Sequence, residues 1–188
     1  RCKVTTLEPA KNLEEVGEFI LRSQVLNTVG MGSKLDSIKG SLVITATGQT
    51  ELFSDTSFAN LKYVGNNLEL FAKSLKGFSN VEKVMGSLYP SGKTIDEGFL
   101  EKIDFVGKNL TMGGMESVHS GFLRNFDSIP GSINFLDVSF PDLSFLSSIK
   151  KAGSFSLNLN NTIVSIADLN PSLILKGSLL IWCCPNLN

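Results

Sequence analysis

Hydrophobic and polar residues alternate in short segments along this chain, and each segment directly follows a glycine. Examples are Gly40-Ser-Leu-Val-Ile44 and Gly177-Ser-Leu-Leu-Ile181. The glycines recur at intervals of 21 to 25 residues, at Gly17, Gly40, Gly65, Gly86, Gly107, Gly131, Gly153 and Gly177. A period of this length over most of a chain predicts a solenoid, in which each coil covers the apolar face of its neighbour.

Alignment on the glycines places two rows of residues on the inward side of the predicted strands. The first row is Phe19, Leu42, Leu68, Leu88, Leu110, Ile133, Phe155 and Leu179. The second row is Leu21, Ile44, Leu70, Pro90, Met112, Phe135, Leu157 and Ile181. Fifteen of these sixteen positions are apolar, whereas 42% of the whole chain is hydrophobic. The alternation predicts a mainly β fold, a parallel β-solenoid of about eight coils. Pro90 is expected to interrupt its strand because proline has no N–H to donate.

Two further rows repeat with the glycines. The first outward row is mostly small and polar, which allows hydrogen bonds along the stack. It consists of Glu18, Ser41, Asn67, Ser87, Asn109, Ser132, Ser154 and Ser178. A row of large apolar residues precedes the glycines by seven to nine positions, at Phe58, Phe78, Phe99, Phe122, Phe145 and Leu169. We expect this row to form an aromatic spine that fills the far side of the core, because protein interiors are closely packed.

The repeats leave only short segments at the two ends of the chain. We expect one solenoid domain over residues 1–188, with an N-terminal cap at 1–16, repeats at 17–182 and a C-terminal cap at 183–188. The stretch from Glu8 to Phe19 is rich in Glu, Lys and Leu, which predicts a short helix in the N-terminal cap.

Larger and chemically varied residues stand beside the small polar row on the outward side of the strands. Phe71, Tyr89, Leu136 and Trp182 would form an amphipathic patch of the kind that partner proteins bind. The predicted centre of binding is the middle coils, at Glu69, Phe71, Tyr89, Thr111, Asn134 and Leu136. The alternative is that bends or loops cover these side chains, and that Trp182 closes the end of the core.

The charge pattern argues against two classes of partner. The net charge is −1, and no block of like charge exceeds two residues, so the chain lacks the basic face that phosphate binding requires. No apolar run reaches the roughly 18 residues of a membrane span. We therefore expect no nucleic-acid partner and no transmembrane segment.

Residues for catalysis or metal binding are scarce. His119 is the one histidine, it lies outside any nucleophile motif, and no second histidine or nearby cysteine could share a metal with it. The acids nearest the strands, Glu18, Glu69 and Asp137, fall on different coils and are too far apart to act as a pair. We expect a loop histidine, no metal, no cofactor and no enzymatic activity.

The three cysteines lie at the two ends of the chain. Cys2 precedes the first repeat, and Cys183 and Cys184 follow the last strand. Seven coil steps of ~4.8 Å separate the ends by roughly 34 Å, whereas a disulfide needs Cα atoms within ~7 Å. Cys2 therefore cannot reach the other two. We expect end-cap cysteines, paired with residues outside this sequence or in a strained 183–184 bridge, or else three buried thiols.

Two N-glycosylation sequons occur, at Asn109-Leu-Thr111 and at Asn160-Asn-Thr162. With 15 Asn in the chain, two sequons are close to the chance number, so they permit a secreted glycoprotein without indicating one.

The repeats resemble those of the receptor L-domain family. The resemblance lies in segments such as Leu35-Asp-Ser-Ile-Lys-Gly-Ser-Leu-Val-Ile44 and Phe99-Leu-Glu-Lys-Ile-Asp-Phe-Val-Gly-Lys-Asn-Leu-Thr-Met112, and it covers residues from about 13 to 182. The family includes the L domains of the insulin and epidermal growth factor receptors, secreted nematode proteins and fungal cell-wall proteins. The resemblance implies a short right-handed β-helix related to leucine-rich repeats, located outside the cell.

These observations favour an extracellular or cell-surface recognition domain that binds a protein or a glycan and is not an enzyme. The alternative is a structural protein of the cell surface or wall without a specific soluble ligand. A third hypothesis, a β-helix carbohydrate-active enzyme, lacks the clustered carboxylates that such chemistry needs.

Overall fold

The fold was derived from a computed structural model, in which residues 12–23, 32–46, 58–139, 141–158, 160 and 162–187 are described. The strands are β1 (Glu15–Val16), β2 (Phe19–Ser23), β3 (Ser37–Ile38), β4 (Leu42–Ala46), β5 (Tyr63–Val64), β6 (Leu68–Phe71), β7 (Ser74–Leu75), β8 (Lys83–Val84), β9 (Leu88–Ser91), β10 (Thr94–Ile95), β11 (Phe105–Val106), β12 (Leu110–Gly113), β13 (Ser117–Val118), β14 (Ser128–Leu136), β15 (Lys151–Asn158), β16 (Ile174–Leu175) and β17 (Leu179–Trp182). One 3₁₀ turn spans Ser144–Leu146.

Within the described ranges, the strands form three parallel sheets around one core. The largest sheet has nine strands in the order β16-β15-β14-β12-β9-β6-β4-β2, with β17 also paired to β15. The second has five strands, β1-β3-β5-β8-β11, and the third has three, β13-β10-β7. Strands that are neighbours in a sheet come from successive turns of the chain. The protein is therefore a mainly β solenoid, as the glycine period predicts.

The register confirms both predicted inward rows. Phe19 pairs with Leu42 and Leu42 with Leu68, and the same column continues to Leu179 in β17. The second row pairs in the same way two residues further along each strand, except between Pro90 and Met112. Period-two alternation therefore puts one set of side chains on the inward side of every strand, and they are buried from β4 to β15.

Pro90 does not interrupt its strand, contrary to the sequence-based expectation. It is buried within β9 and pairs in register with Leu70. On the other side of β9, only Leu88 and Ser91 keep paired positions in β12. Proline removes one donor from the ladder, and the flanking bonds from the Leu88 and Gly92 amides hold the strand in place.

The aromatic spine is also present. Phe58, Phe78, Phe99, Phe122 and Phe145 lie in a column with ring centroids 5.1–6.4 Å apart. Phe58 and Phe78 have φ angles of +52° and +55°, a conformation that costs a non-glycine residue roughly 1–2 kcal/mol. Full burial of a large ring contributes about 1.5–3 kcal/mol, so the packing of the spine offsets this strain.

Glycine is required where successive turns approach closely. A Cβ atom at Gly65 would overlap the carbonyl oxygen of Lys39, and one at Gly107 would overlap that of Met85. The repeated glycine therefore allows the backbone of one turn to rest directly on the backbone of the turn before it.

Two details at the ends differ slightly from the predicted fold. The nine-stranded sheet contains eight passes of the chain, which we call rungs. The residue of the first inward row is buried only in the six rungs from β4 to β15. About six turns therefore enclose a packed core. A terminal rung has a neighbour on one side only. Within the stretch from Glu8 to Phe19, residues 15–16 and Phe19 lie in strands rather than in the expected helix, because pairing with β3 and β4 outweighs local helix propensity. Residues 1–11 lie outside the described ranges.

Candidate functional site

The six residues predicted to bind a partner lie on one surface, the outward side of the nine-stranded sheet. They lie on strands β6, β9, β12 and β14. We call this surface the central outward face, and its residues are Glu69, Phe71, Tyr89, Thr111, Asn134 and Leu136. Glu69 is beside Tyr89, and Thr111 is beside Asn134. Because the alternate residues of these strands are locked in the core, the outward orientation of all six is fixed by packing.

A shallow trough crosses this face between two apolar side chains. Phe71, Ser91, Gly113 and Leu136 form one column on four successive strands. Three steps of ~4.8 Å place the outer two residues about 14 Å apart. Phe71 is 37% exposed and Leu136 is 45% exposed, while Ser91 and Gly113 between them have little or no side chain. The Ser91 hydroxyl donates to the Gly113 carbonyl at 3.1 Å, which fixes the floor of the trough.

The polar residues of the face are partly paired with each other. The Asn134 amide donates to the Thr111 hydroxyl at 3.3 Å, and the Asn67 amide donates to the Glu69 carboxylate at 3.2 Å. Tyr89 is half-buried, and no partner for its hydroxyl group is present within the described part of the chain. The phenol therefore keeps hydrogen-bonding capacity at the centre of the face.

A ladder of side chain to backbone hydrogen bonds supports the edge of the face. Asn67 accepts from the Ser87 amide at 3.0 Å, Ser87 accepts from the Asn109 amide at 3.3 Å, and Asn109 accepts from the Ser132 amide at 2.8 Å. Ser154 accepts from the Ser178 amide at 3.1 Å. This is the small polar row, which therefore links successive rungs as predicted.

The two sequon asparagines are in different environments. Asn109 is half-buried and belongs to the hydrogen-bond ladder, so its glycosylation remains a prediction. Asn160 is 0% exposed, and its side-chain oxygen accepts from the amides of Thr162 and Ile163. The side-chain nitrogen of Asn160 is buried without a hydrogen-bond partner among the described residues, and glycosylation of Asn160 likewise stays a prediction.

The end-cap cysteines are not bridged to each other. Cys183 and Cys184 are both free thiols, so the strained bridge is absent. Cys183 is exposed and Cys184 is half-buried, which also contradicts the alternative of three buried thiols. Cys2 lies outside the described residues.

A second exposed patch was missed in the sequence. Tyr63, Lys83 and Phe105 are neighbours on the outward side of the five-stranded sheet, with Met85 beside them, and the three large apolar side chains are exposed. The strands that hold them are only two residues long, too short to show a period. The available signal was an aromatic residue two positions before Gly65 and before Gly107.

The ionisable groups show no arrangement typical of catalysis on the described surfaces. His119 is an exposed loop residue whose Nδ1 accepts from the Gly121 amide at 3.1 Å. The pKa of Asp142 is lowered because the hydroxyl and amide of Ser144 donate to its carboxylate. The pKa of Lys39 is raised by its hydrogen bond and ion pair with Glu15. No group of three potential metal ligands was found among the described residues.

Among the described residues, no helix has the length and apolar character needed to cross a bilayer.

Comparisons with known proteins leave the family open. No protein family matches the chain, and no solved structure matches it either. The chain is 26% identical over 180 residues to elongation factor Ts of Rickettsia bellii (strain OSU 85-389), an alignment that covers 92% of this chain and 58% of that protein. The chain thus spans just over half the length of this relative. An identity this low shows neither a shared family nor a shared activity.

Proposed function

We propose that this chain is an extracellular or cell-surface recognition domain, without enzymatic activity, that binds a protein or a glycan through its central outward face. The observation that carries the proposal is the trough between Phe71 and Leu136, with Tyr89 beside its floor. Exposed apolar groups flanking polar ones are characteristic of surfaces that bind partners.

The rigidity of the strands supports this proposal. Binding to a mobile surface loses free energy because side chains and loops must be ordered, and each immobilised side chain costs about 0.5–1.5 kcal/mol. On this face β9 and β12 each pair with a strand on both sides, which fixes the backbone. The side chains of Thr111 and Asn134 are already hydrogen-bonded to each other. A partner would therefore meet a preorganised surface.

The composition of the face predicts how binding depends on salt. Of its six residues only Glu69 carries a charge, and that charge already accepts a hydrogen bond from Asn67. Binding should rest on apolar contact and neutral hydrogen bonds, so its affinity should change little with ionic strength. The resemblance to receptor L domains supports the same kind of partner, an extracellular protein or a glycan.

The test begins with a panel of purified polysaccharides and a displayed library of secreted proteins, from which a binding partner is selected. Its affinity is then measured for the unaltered chain, for Tyr89→Ala/Asn134→Ala, and for the control Tyr63→Ala/Phe105→Ala on the five-stranded sheet. We expect the first double variant to weaken binding by at least about tenfold, which corresponds to ~1.4 kcal/mol, and the control to bind normally.

Two results would contradict the proposal. Unchanged affinity of a folded Tyr89→Ala/Asn134→Ala variant would remove the site from the central outward face. Loss of affinity only in the Tyr63→Ala/Phe105→Ala variant would place it on the five-stranded sheet instead. Folding of each variant is checked by its unfolding midpoint in urea.

A further inference from the structure

The glycine in the floor of the trough, Gly113, is not required by the fold. A Cβ atom at this position would lie 3.6 Å from the Ser91 hydroxyl oxygen and 3.8 Å from the Leu136 carbonyl oxygen, which are ordinary contact distances. The φ angle of Gly113 lies outside the left-handed region that favours glycine. At Gly92, just after β9, a Cβ atom would instead overlap the Ala72 carbonyl oxygen. Packing and backbone geometry therefore both leave room for a side chain at Gly113.

A glycine paired within a sheet has few physical explanations. It weakens a strand relative to other residues, and it often marks a bulge, a tight bend, or a close approach by another backbone or a ligand. Residues 110–113 pair continuously with residues 133–136 of β14, so no bulge is present here. The bend that follows belongs to Gly114, whose φ angle is +68°. No described backbone of another strand comes closer than 3.8 Å to the Cβ position of Gly113. Close approach by a ligand is the explanation that remains.

The polar groups around this opening are neutral and keep hydrogen-bonding capacity. The Tyr89 hydroxyl group has no partner in the described part of the chain. Asn134 donates one N–H to the Thr111 oxygen, which leaves the hydroxyl proton of Thr111 and the carbonyl oxygen of Asn134 for a ligand. Glu69, the one charged residue of the face, already accepts from Asn67. A ligand that fits these groups has many neutral donors and acceptors and carries no net charge.

The apolar walls of the trough add a second requirement. Phe71 and Leu136 stand on its two sides and are both exposed. The face of an aromatic ring carries partial negative charge and attracts C–H groups. Sugar rings have C–H groups on their faces and hydroxyl groups, which donate and accept, around their edges. A glycan of uncharged hexoses therefore satisfies both requirements.

The size of the trough argues against a protein as its partner. Strands β6, β9 and β12 are four residues long. With walls three strand steps apart, the footprint of the trough is about 190 Å². A stable protein interface buries about 800 Å² on each partner. An extended peptide would need a row of free main-chain groups, but β9 and β12 are paired on both sides.

We infer that the partner of the central outward face is a neutral glycan, a chain of uncharged hexose units, with one sugar ring seated in the trough against the backbone of Gly113. This inference rests on the proposed function and narrows its partner to one class. Tyr89, Thr111 and Asn134 form hydrogen bonds with the sugar hydroxyl groups, and the Phe71 ring packs against the C–H face. The absent side chain at Gly113 provides the depth that the sugar ring needs.

The test measures the affinity of the purified chain for three neutral glycans, laminarin, mannan and cellohexaose, by titration calorimetry, with heparin as the charged comparison. Gly113→Leu fills the trough, and Tyr89→Phe removes one hydroxyl group without changing the ring. The matched control is Gly17→Leu, which adds the same side chain at a glycine whose Cβ position meets no heavy atom within 4 Å. The unfolding midpoint in urea reports whether each variant is folded.

We expect at least one of the three neutral glycans to bind, with an affinity that changes little with salt. Gly113→Leu should weaken this binding by at least about tenfold, because leucine occupies the place of the sugar ring. Tyr89→Phe should weaken it by about threefold to tenfold, the effect of one hydrogen bond. Gly17→Leu should bind as the unaltered chain does.

Three results would overturn the inference. The first is that none of the neutral glycans binds, and the second is that heparin alone binds. The third is unchanged affinity of a folded Gly113→Leu variant or, if that variant does not fold, of Tyr89→Phe.

The same measurements separate this inference from the proposed function. If no neutral glycan binds but a selected protein partner loses affinity in Tyr89→Ala/Asn134→Ala, the inference fails and the proposed function stands. If a neutral glycan binds and loses affinity only in Tyr63→Ala/Phe105→Ala, both fail.

Discussion

The middle and the last rungs of this solenoid have the same sequence pattern but differ greatly in burial. Leu110 and Leu179 occupy the same inward column, yet Leu110 is 0% exposed and Leu179 is 53% exposed. The alternation of residues decides which side of the strand faces inward. Whether that side is removed from water depends on a neighbouring turn on each side, and no described strand covers the outer side of β17.

The hydrogen-bond ladder shows the same difference. Asn109 in the middle is bonded on both sides, to Ser87 in the previous rung and to Ser132 in the next. Ser178 in the last rung donates its amide to Ser154 and accepts from the Phe155 amide, so within the described residues both of its bonds go to the previous rung. Stability in a solenoid is approximately a sum over neighbouring repeats, so the middle rungs should contribute more than the last.

The largest expected effect is that of shortening an inward leucine. Leu110→Ala should lower the free energy of unfolding by about 2–5 kcal/mol, because it leaves a cavity in a closed core. Leu179→Ala in the same column should cost much less, since its side chain is already half in water. Urea unfolding of both variants measures the difference. Equal losses would mean that the last rung is as closely packed as the middle.

Two glycines at the same repeat position sharpen the comparison. Gly65→Ala places a methyl group against the Lys39 carbonyl and should destabilise the fold by about 1–3 kcal/mol or more. At Gly17 a Cβ atom meets no heavy atom within 4 Å, so Gly17→Ala should be neutral or slightly stabilising. Thermal unfolding of the pair provides the measurement, and a large loss at Gly17 would show that the first rung is covered.

Removing a bond of the polar ladder should also cost more stability in the middle rungs than in the last rung. Asn109→Ala leaves the Ser132 amide without its acceptor, which should cost about 1–3 kcal/mol. Ser154→Ala removes the acceptor of the Ser178 amide, which lies in an exposed rung and can bond to water instead, so its loss should stay below about 0.5 kcal/mol. The stability of both variants is measured in urea, and a greater loss for Ser154→Ala would contradict the gradient.

A small effect is also expected at Asp142, in a connection outside the sheets. The pKa of Asp142 is lowered in the folded protein by the hydrogen bonds from Ser144. Its contribution to the free energy of unfolding is therefore fully present above the unfolded pKa of ~3.9, and it is lost as the pH falls through the lower folded pKa. Asp142→Ala should cost at most about 1 kcal/mol at pH 7 and less near pH 3. A pH-independent difference between the two proteins would rule out this carboxylate as the cause.

Much of this fold follows from the repeated pattern in the sequence. The two inward rows and the phenylalanine spine recur with the glycines, so each repeat confirms the register of the next. The central outward face follows from the same alternation, because Glu69 and Phe71 alternate with Leu68 and Leu70 in one strand.

Other features depend on contacts between turns that one segment does not reveal. Glu15 and Val16 lie in a stretch that favours a helix locally, but pairing with β3 makes it a strand. The Tyr63 and Phe105 patch lies on strands too short to show alternation. Asn160 is buried, which its sequon does not predict, and its side-chain oxygen accepts from the nearby amides of Thr162 and Ile163.

Hydrogen exchange of the backbone amides tests most directly whether the middle rungs form the stable part of the solenoid. The account predicts the slowest exchange in β9, β12 and β14, at a rate set by global unfolding, and much faster exchange in β17, whose outer side no described strand covers. Equal protection of β17 and β12 would contradict the account, because it would show that the last rung is as stable as the middle.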